Sequence, residues 1–301
     1  MSKRRSVFIF VGLAYSLAWM IWLGLRFWGI QLGQSFAQLG TMLAMWTPAL
    51  AFFILRAMKS ADVPLQEYTP SFKNGLRYYL TALWLPTILS LFGAGLYFMI
   101  FRNQFSLGFE YLQSMLEATG HFKKSIPLQL VAVSQLFSAM TFAPVFNSLL
   151  ALGEEIGWRG YLYPVLRERF SLFQTHLLVG LIWSLWHLPI NLQGYNYGLL
   201  YFGYPWLGVL AMFVFCFSLS ILLSWVREKT GSIWASALMH GSINASAGLG
   251  LLFQLPSEKV EGMRILGPSP AGFIAGVPLL IFALVILQRE RRTTHELRTN
   301  L

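Results

Sequence analysis

The chain has 301 residues, 56% of them hydrophobic and only 11% charged, with a formal net charge of +10. Ordinary soluble domains carry about 25% charged residues, so this composition excludes one. Apolar runs long enough to cross a bilayer recur throughout, and no long polar stretch separates them, so residues 1–301 read as one integral membrane domain.

The opening MSKRR, followed by VFIFVGLAYSLAWMIWLGL, has the basic region and apolar stretch of a signal sequence. Its apolar part is longer than a signal core, which fits an uncleaved first span over about 7–28. Further spans are predicted over about 39–56, 78–101, 128–168, 172–190, 205–226, 232–250 and 268–288, eight in all. In the connection 102–127, Phe109, Leu112 and Leu116 recur at helical spacing and predict an interfacial amphipathic helix that anchors on the membrane. The fourth segment is too long for one crossing, since 128–168 as a single helix would run roughly 60 Å against a hydrocarbon core of about 30 Å. Pro144 divides it, so a membrane helix is expected over about 145–168, preceded by a helix that is peripheral, re-entrant or kinked. The tyrosine-rich stretch NLQGYNYGLLYFGY, 191–204, is expected to form an aromatic belt. The lone cysteine, Cys216, lies inside the sixth span and allows neither an intrachain disulfide nor a cysteine-rich metal site. No internal repeat is visible.

Basic residues test this topology, because cytoplasmic connections carry the excess. With the N-terminus inside, inner segments hold Lys3, Arg4, Arg5, Arg56, Lys59, Lys73, Arg77, Arg167, Arg169, Arg227, Lys229, Arg289, Arg291, Arg292 and Arg298. Outer segments hold Arg26, Arg102, Lys123, Lys124, Lys259 and Arg264. Fifteen against six predicts an all-α bundle of about eight spans with both termini cytoplasmic. The positive charge is thus a topology signal, and nucleic acid is not expected as a partner.

Ionisable groups within spans are expensive and mark function by default. Three motifs hold them: Glu154-Glu155-Ile156-Gly157-Trp158-Arg159, Trp183-Ser184-Leu185-Trp186-His187 and His240-Gly241-Ser242-Ile243-Asn244. Glu155 and Arg159 are four apart with the acid N-terminal, the orientation that favours an ion pair within a helix. Glu154 is rotated about 100° from Glu155 and has no partner in its own helix. His240 and Asn244 share a helix face. Counted from the basic inner flanks at about 1.5 Å per residue, Glu154 lies roughly 20 Å deep, His187 roughly 24 Å, and His240 with Asn244 roughly 15–22 Å. Three helices thus bring polar groups to a similar depth, which scattered core histidines have no reason to do. Pro189 removes the donor that would pair with the Leu185 carbonyl and loosens the turn carrying His187.

A carboxylate and an imidazole flanking a water can take its proton, while a second imidazole and an amide can donate to an oxyanion. That set suffices to hydrolyse an amide by direct water attack. Ser184 and Ser242 lie in no nucleophile elbow or triad and read as helix-packing hydroxyls. A zinc site of Glu154, His187 and His240 is the alternative; no HExxH is present, and the ligands would come from three helices.

In this order and on separate helices, EEIGWR, WSLWH and HGSIN resemble the EExxxR, FxxxH and HxxxN/D motifs of the CAAX protease and bacteriocin-processing (CPBP, or Abi) family of intramembrane endopeptidases. Its best-known branch is the type II CAAX prenyl endopeptidase. The resemblance covers about residues 145–250, the expected catalytic core. It implies that Glu154 and His187 activate the water, that His240 and Asn244 form the oxyanion hole, and that Glu155 and Arg159 support the site. The family has been described both as metalloproteases and as metal-independent glutamate proteases; the motif geometry favours the second, with no cofactor expected. It also implies a membrane-associated peptide or protein substrate, lipidated in the prenyl-processing branch, and a site open to the cytosolic side and the bilayer of a bacterial plasma membrane. Trp183 departs from the family's usual Phe, with altered packing expected and no lost chemistry. A proton-coupled transporter and a catalytically inactive immunity or scaffold protein are the rival readings.

Overall fold

In hydrocarbon every backbone donor and acceptor must be satisfied within its own segment, so apolar runs of this composition become helices. The computed structural model describes residues 3–59, 69, 75–118, 127–256 and 258–299. Among the described residues the chain is all-helical, with only an isolated antiparallel bridge between Phe105 and Gln254. Lys73, Lys123 and Lys124, which enter the topology argument, lie outside the described residues.

Helix α1 (Lys3–Phe27) is followed by α2 (Ser35–Ala44) and α3 (Thr47–Ala57), separated only by Met45 and Trp46 and started again by Pro48 in the first turn of α3. Helix α4 (Leu76–Ile100) is continuous despite Pro86. A short α5 (Glu110–Ala118) leads to α6 (Leu128–Met140) and α7 (Ala143–Gly157). The last two form a pair bent by 53°, with Pro144 in the first turn of α7, so the overlong fourth segment breaks where its proline predicts. A π-helical turn, Trp158–Leu162, joins α7 to α8 (Tyr163–Arg167). Then come α9 (Leu172–Trp186), α10 (Leu188–Asn191), α11 (Trp206–Thr230), α12 (Ile233–Ser246), α13 (Glu258–Met263) and α14 (Val277–Thr299).

These apolar helices make the chain an integral membrane protein. Four stretches among the described residues are long and apolar enough to cross a bilayer: α1, α2 with α3, α4 and α11; the bent α6–α7 pair makes a fifth if taken as one span. The remaining three of the eight expected segments do not meet that measure. Helix α9 has 15 residues and α12 has 14, so each is roughly 21–23 Å long at 1.5 Å per residue. Helix α12 lies inside the bundle, packed on α7, α4 and α11. A helix enclosed by protein need not match the lipid thickness.

Two further expectations are corrected. Phe109 and Leu112 are buried and cluster with Ala132, Ala139, Leu249 and Leu252, with Leu116 packed alongside, so the apolar side of α5 rests on the protein and not on lipid. The tyrosine-rich stretch divides: Tyr197 and Tyr201 are buried, their hydroxyls donating to the carbonyls of Ala271 and Pro205, whereas Tyr195, Phe202 and Tyr204 stay exposed, so only part of it is available for a belt.

Close helix approach sets up the centre. A Cβ on Gly153 of α7 would lie 2.7 Å from the Met45 carbonyl oxygen and the Trp46 Cα; one on Gly241 of α12 would collide with the backbone of Pro144 and Ser148. Small residues at these crossings seat α7 between α3 and α12, the usual device of helix packing in membranes.

Candidate active site

The two adjacent glutamates of α7 diverge as their 100° offset requires. Glu155 and Arg159 are completely buried, and Arg159 Nη1 donates to Glu155 Oε1 at 3.0 Å. The same oxygen accepts from His240 Nδ1 at 2.8 Å, so the ion pair also grips the first residue of the third motif. Glu154 turns the other way. Its Oε2 accepts from two indoles, Trp183 Nε1 at 2.6 Å and Trp158 Nε1 at 3.3 Å. Trp158 opens the π-helical turn, a local rewinding found often at functional sites.

His187 caps the C-terminus of α9, where Pro189 prevents the helix from continuing and α10 starts afresh. Its Nδ1 lies 2.9 Å from the Trp183 carbonyl oxygen, which can only accept, so Nδ1 carries the proton and Nε2 is the nitrogen left with a lone pair. The Trp186 ring packs edge-on against it at 4.7 Å, and Trp22 of α1 stacks at 6.4 Å. His240, with Nδ1 engaged by Glu155, likewise has Nε2 as its uncommitted nitrogen. Asn244, one turn further along α12, is exposed.

One cavity of about 340 Å³ is lined by Glu154, His187, His240 and Asn244 together. Asn147, Asn196 and Ser269 add polar groups, and Trp22, Trp186 and Met212 are among its apolar walls. Glu155 and Arg159 do not line it. The structure therefore brings together on one cavity the four residues singled out as catalytic and leaves the two supporting ones behind them. A carboxylate, two imidazoles and an amide lining one cavity can deprotonate a water and hold an oxyanion. Among the described residues no three His, Cys, Asp or Glu side chains form a group that could hold one metal ion.

Trp183 touches more of this site than its position in the second motif suggests. Besides its bond to Glu154 and its carbonyl contact with His187, its ring meets His240 at 5.2 Å and His187 at 6.1 Å. The Arg159 guanidinium lies 4.4 Å from the ring centroid, a cation–π contact. The available signal was its place four residues before His187, one helical turn away.

Residues 130–246 match the family model described as Type II CAAX prenyl endopeptidase Rce1-like, a segment that contains all three motifs. The chain is 37% identical over 112 residues to the CAAX prenyl protease 2 of Methanococcus maripaludis, covering 36% of this chain and 41% of that protein. It is 27% identical over 168 residues to lysostaphin resistance protein A of Staphylococcus epidermidis, covering 56% and 40%. The corresponding protein of Staphylococcus haemolyticus is 26% identical over 148 residues, covering 49% and 37%. The chain thus spans about two fifths of the length of the curated relatives it matches.

Proposed function

With residues 130–246 carrying the Rce1-like match, we propose that this chain is an intramembrane endopeptidase whose catalytic core is about 145–250. Its substrate is a membrane-associated peptide or protein, with a prenylated CAAX-type peptide the first to test. The observation that carries this reading is the convergence of Glu154, His187, His240 and Asn244 from α7, α9 and α12 on one cavity.

In the proposed reaction, a water between Glu154 and the Nε2 of His187 loses a proton to this pair as its oxygen attacks the scissile carbonyl carbon. The carbonyl π pair moves to oxygen, and the oxyanion accepts hydrogen bonds from the Asn244 amide and from His240 Nε2. Nε2 must carry a proton for this, and the Glu155 carboxylate at Nδ1 offsets the charge. Collapse of the tetrahedral intermediate breaks the C–N bond, and the abstracted proton goes to the leaving amine. Glu155 and Arg159 act by holding His240 and the helix, and no metal takes part. The chain sits in a bacterial plasma membrane with eight crossings, both termini cytoplasmic and the cavity reached from the cytoplasmic side or the bilayer.

The test is cleavage of quenched-fluorescence peptides, farnesylated and unmodified, by protein in nanodiscs. Cleavage that survives a chelator and is lost in Glu154→Gln and His187→Ala is expected. Activity removed by a chelator and restored by zinc contradicts the metal-free mechanism. Proton-coupled flux in liposomes without cleavage would favour a transporter, and neither activity a scaffold.

A further inference from the structure

The catalytic carboxylate is held by an indole that the family pattern does not call for. We propose that Trp183 is a positioning residue whose Nε1–H fixes Glu154, so that Oε1 is the oxygen presented for proton transfer; this rests on the reading of Glu154 as part of the water-activating pair. Two tryptophans from different elements, Trp158 and Trp183, donate to the same oxygen, Oε2, at 3.3 and 2.6 Å. With Oε2 doubly engaged, the other oxygen is left for the cavity that Glu154 lines. A carboxylate otherwise swings about its terminal torsion, which has broad minima, and a general base must sit within hydrogen-bond reach of the proton it takes. Phenylalanine at this position would occupy part of the indole's space and make no such bond.

The Trp183 ring is itself immobilised. Arg159 lies on its face at 4.4 Å, His240 meets it nearly perpendicular at 5.2 Å, and its backbone carbonyl fixes the His187 tautomer. One residue therefore ties the orientation of Glu154 to that of both histidines. Hydrogen bonds to ionised groups are the strong ones, and at 2.6 Å the Trp183 bond is the shorter of the two, so it should dominate.

The decisive variant is Trp183→Phe, which keeps an aromatic ring for Arg159 and His240, keeps the carbonyl for His187 and removes the donor together with part of the indole's bulk. On peptides that the wild type cleaves, kcat should fall at least about tenfold with KM within about twofold, the size of effect expected from losing a charge-assisted bond. Trp158→Phe should lower kcat less, and it carries the same test if Trp183→Phe fails to fold. Unchanged kcat in both, or parallel changes in kcat and KM with a lowered thermal midpoint, would overturn the proposal. A second readout needs no substrate. In protein labelled with [15N]tryptophan, the indole resonance that vanishes in Trp183→Phe should lie downfield and move upfield in Glu154→Gln. An indole signal indifferent to Glu154→Gln also overturns it. Full activity in Glu154→Gln would instead defeat the underlying catalytic reading, so the two failures are separable.

Discussion

Glu154 and Glu155 are neighbours in sequence and opposites in surroundings. Glu155 sits in a fully buried cluster with Arg159 and His240, whereas Glu154 faces the cavity with one oxygen held by indoles. Breaking a buried pair leaves an uncompensated charge, which typically costs about 3–5 kcal/mol. Arg159→Met should therefore destabilise the protein strongly, read as a lowered thermal midpoint and earlier unfolding in denaturing detergent. A midpoint unchanged from wild type would show that the pair bears no such role. Glu155→Gln should lower kcat even where the fold survives, because His240 loses the carboxylate that orients Nδ1. The divergence of the two acids was legible in sequence from their offset and from the i,i+4 spacing of Glu155 to Arg159; the bond that Glu154 accepts from Trp158, also four residues on, was not, since Glu154 was expected to have no partner in its own helix. The Glu155–His240 contact was not legible either, because nothing in a linear pattern says which neighbouring helix an acid will meet.

Helix α7 delivers both acids because it can approach α3 on one side and α12 on the other, and Gly153 and Gly241 permit that approach. Gly241→Leu should push α12 away from Pro144 and Ser148, destabilising by about 1–3 kcal/mol or more and reducing activity, although every proposed catalytic side chain is retained. Thermal unfolding and cleavage rate measured on the same sample check this; wild-type values for both would refute the close-packing argument. The break between α6 and α7 was legible from Pro144, and the interruption after His187 from Pro189. The burial of Phe109, Leu112, Tyr197 and Tyr201 was not, because an apolar helix face and a tyrosine-rich loop look the same whether they meet lipid or protein. Helix α12 was expected to be longer because hydropathy alone does not distinguish an enclosed helix from one that must match a bilayer, whereas α9 stops short of 190 because Pro189 interrupts it.

Across the whole molecule, the charge asymmetry and the motif-bearing core make separate predictions. Cys216 is fully buried, so a Cys216→Ala background suits single-cysteine labelling. Cysteines placed at Arg5 and Arg167 should be inaccessible from outside the cell, and one at Arg102 accessible; the reverse pattern would invert the proposed orientation. The cavity's identity as a hydrolytic site is tested most directly by mapping products. Farnesylated CAAX-type and unmodified peptides should be incubated with wild-type protein and with Glu154→Gln in nanodiscs, and the fragments identified by mass spectrometry. The expected result is one defined scissile bond whose products appear with wild type, persist with a chelator and are absent with Glu154→Gln. The same fragments produced at wild-type rate by Glu154→Gln would contradict the assignment of Glu154 as the group that activates water.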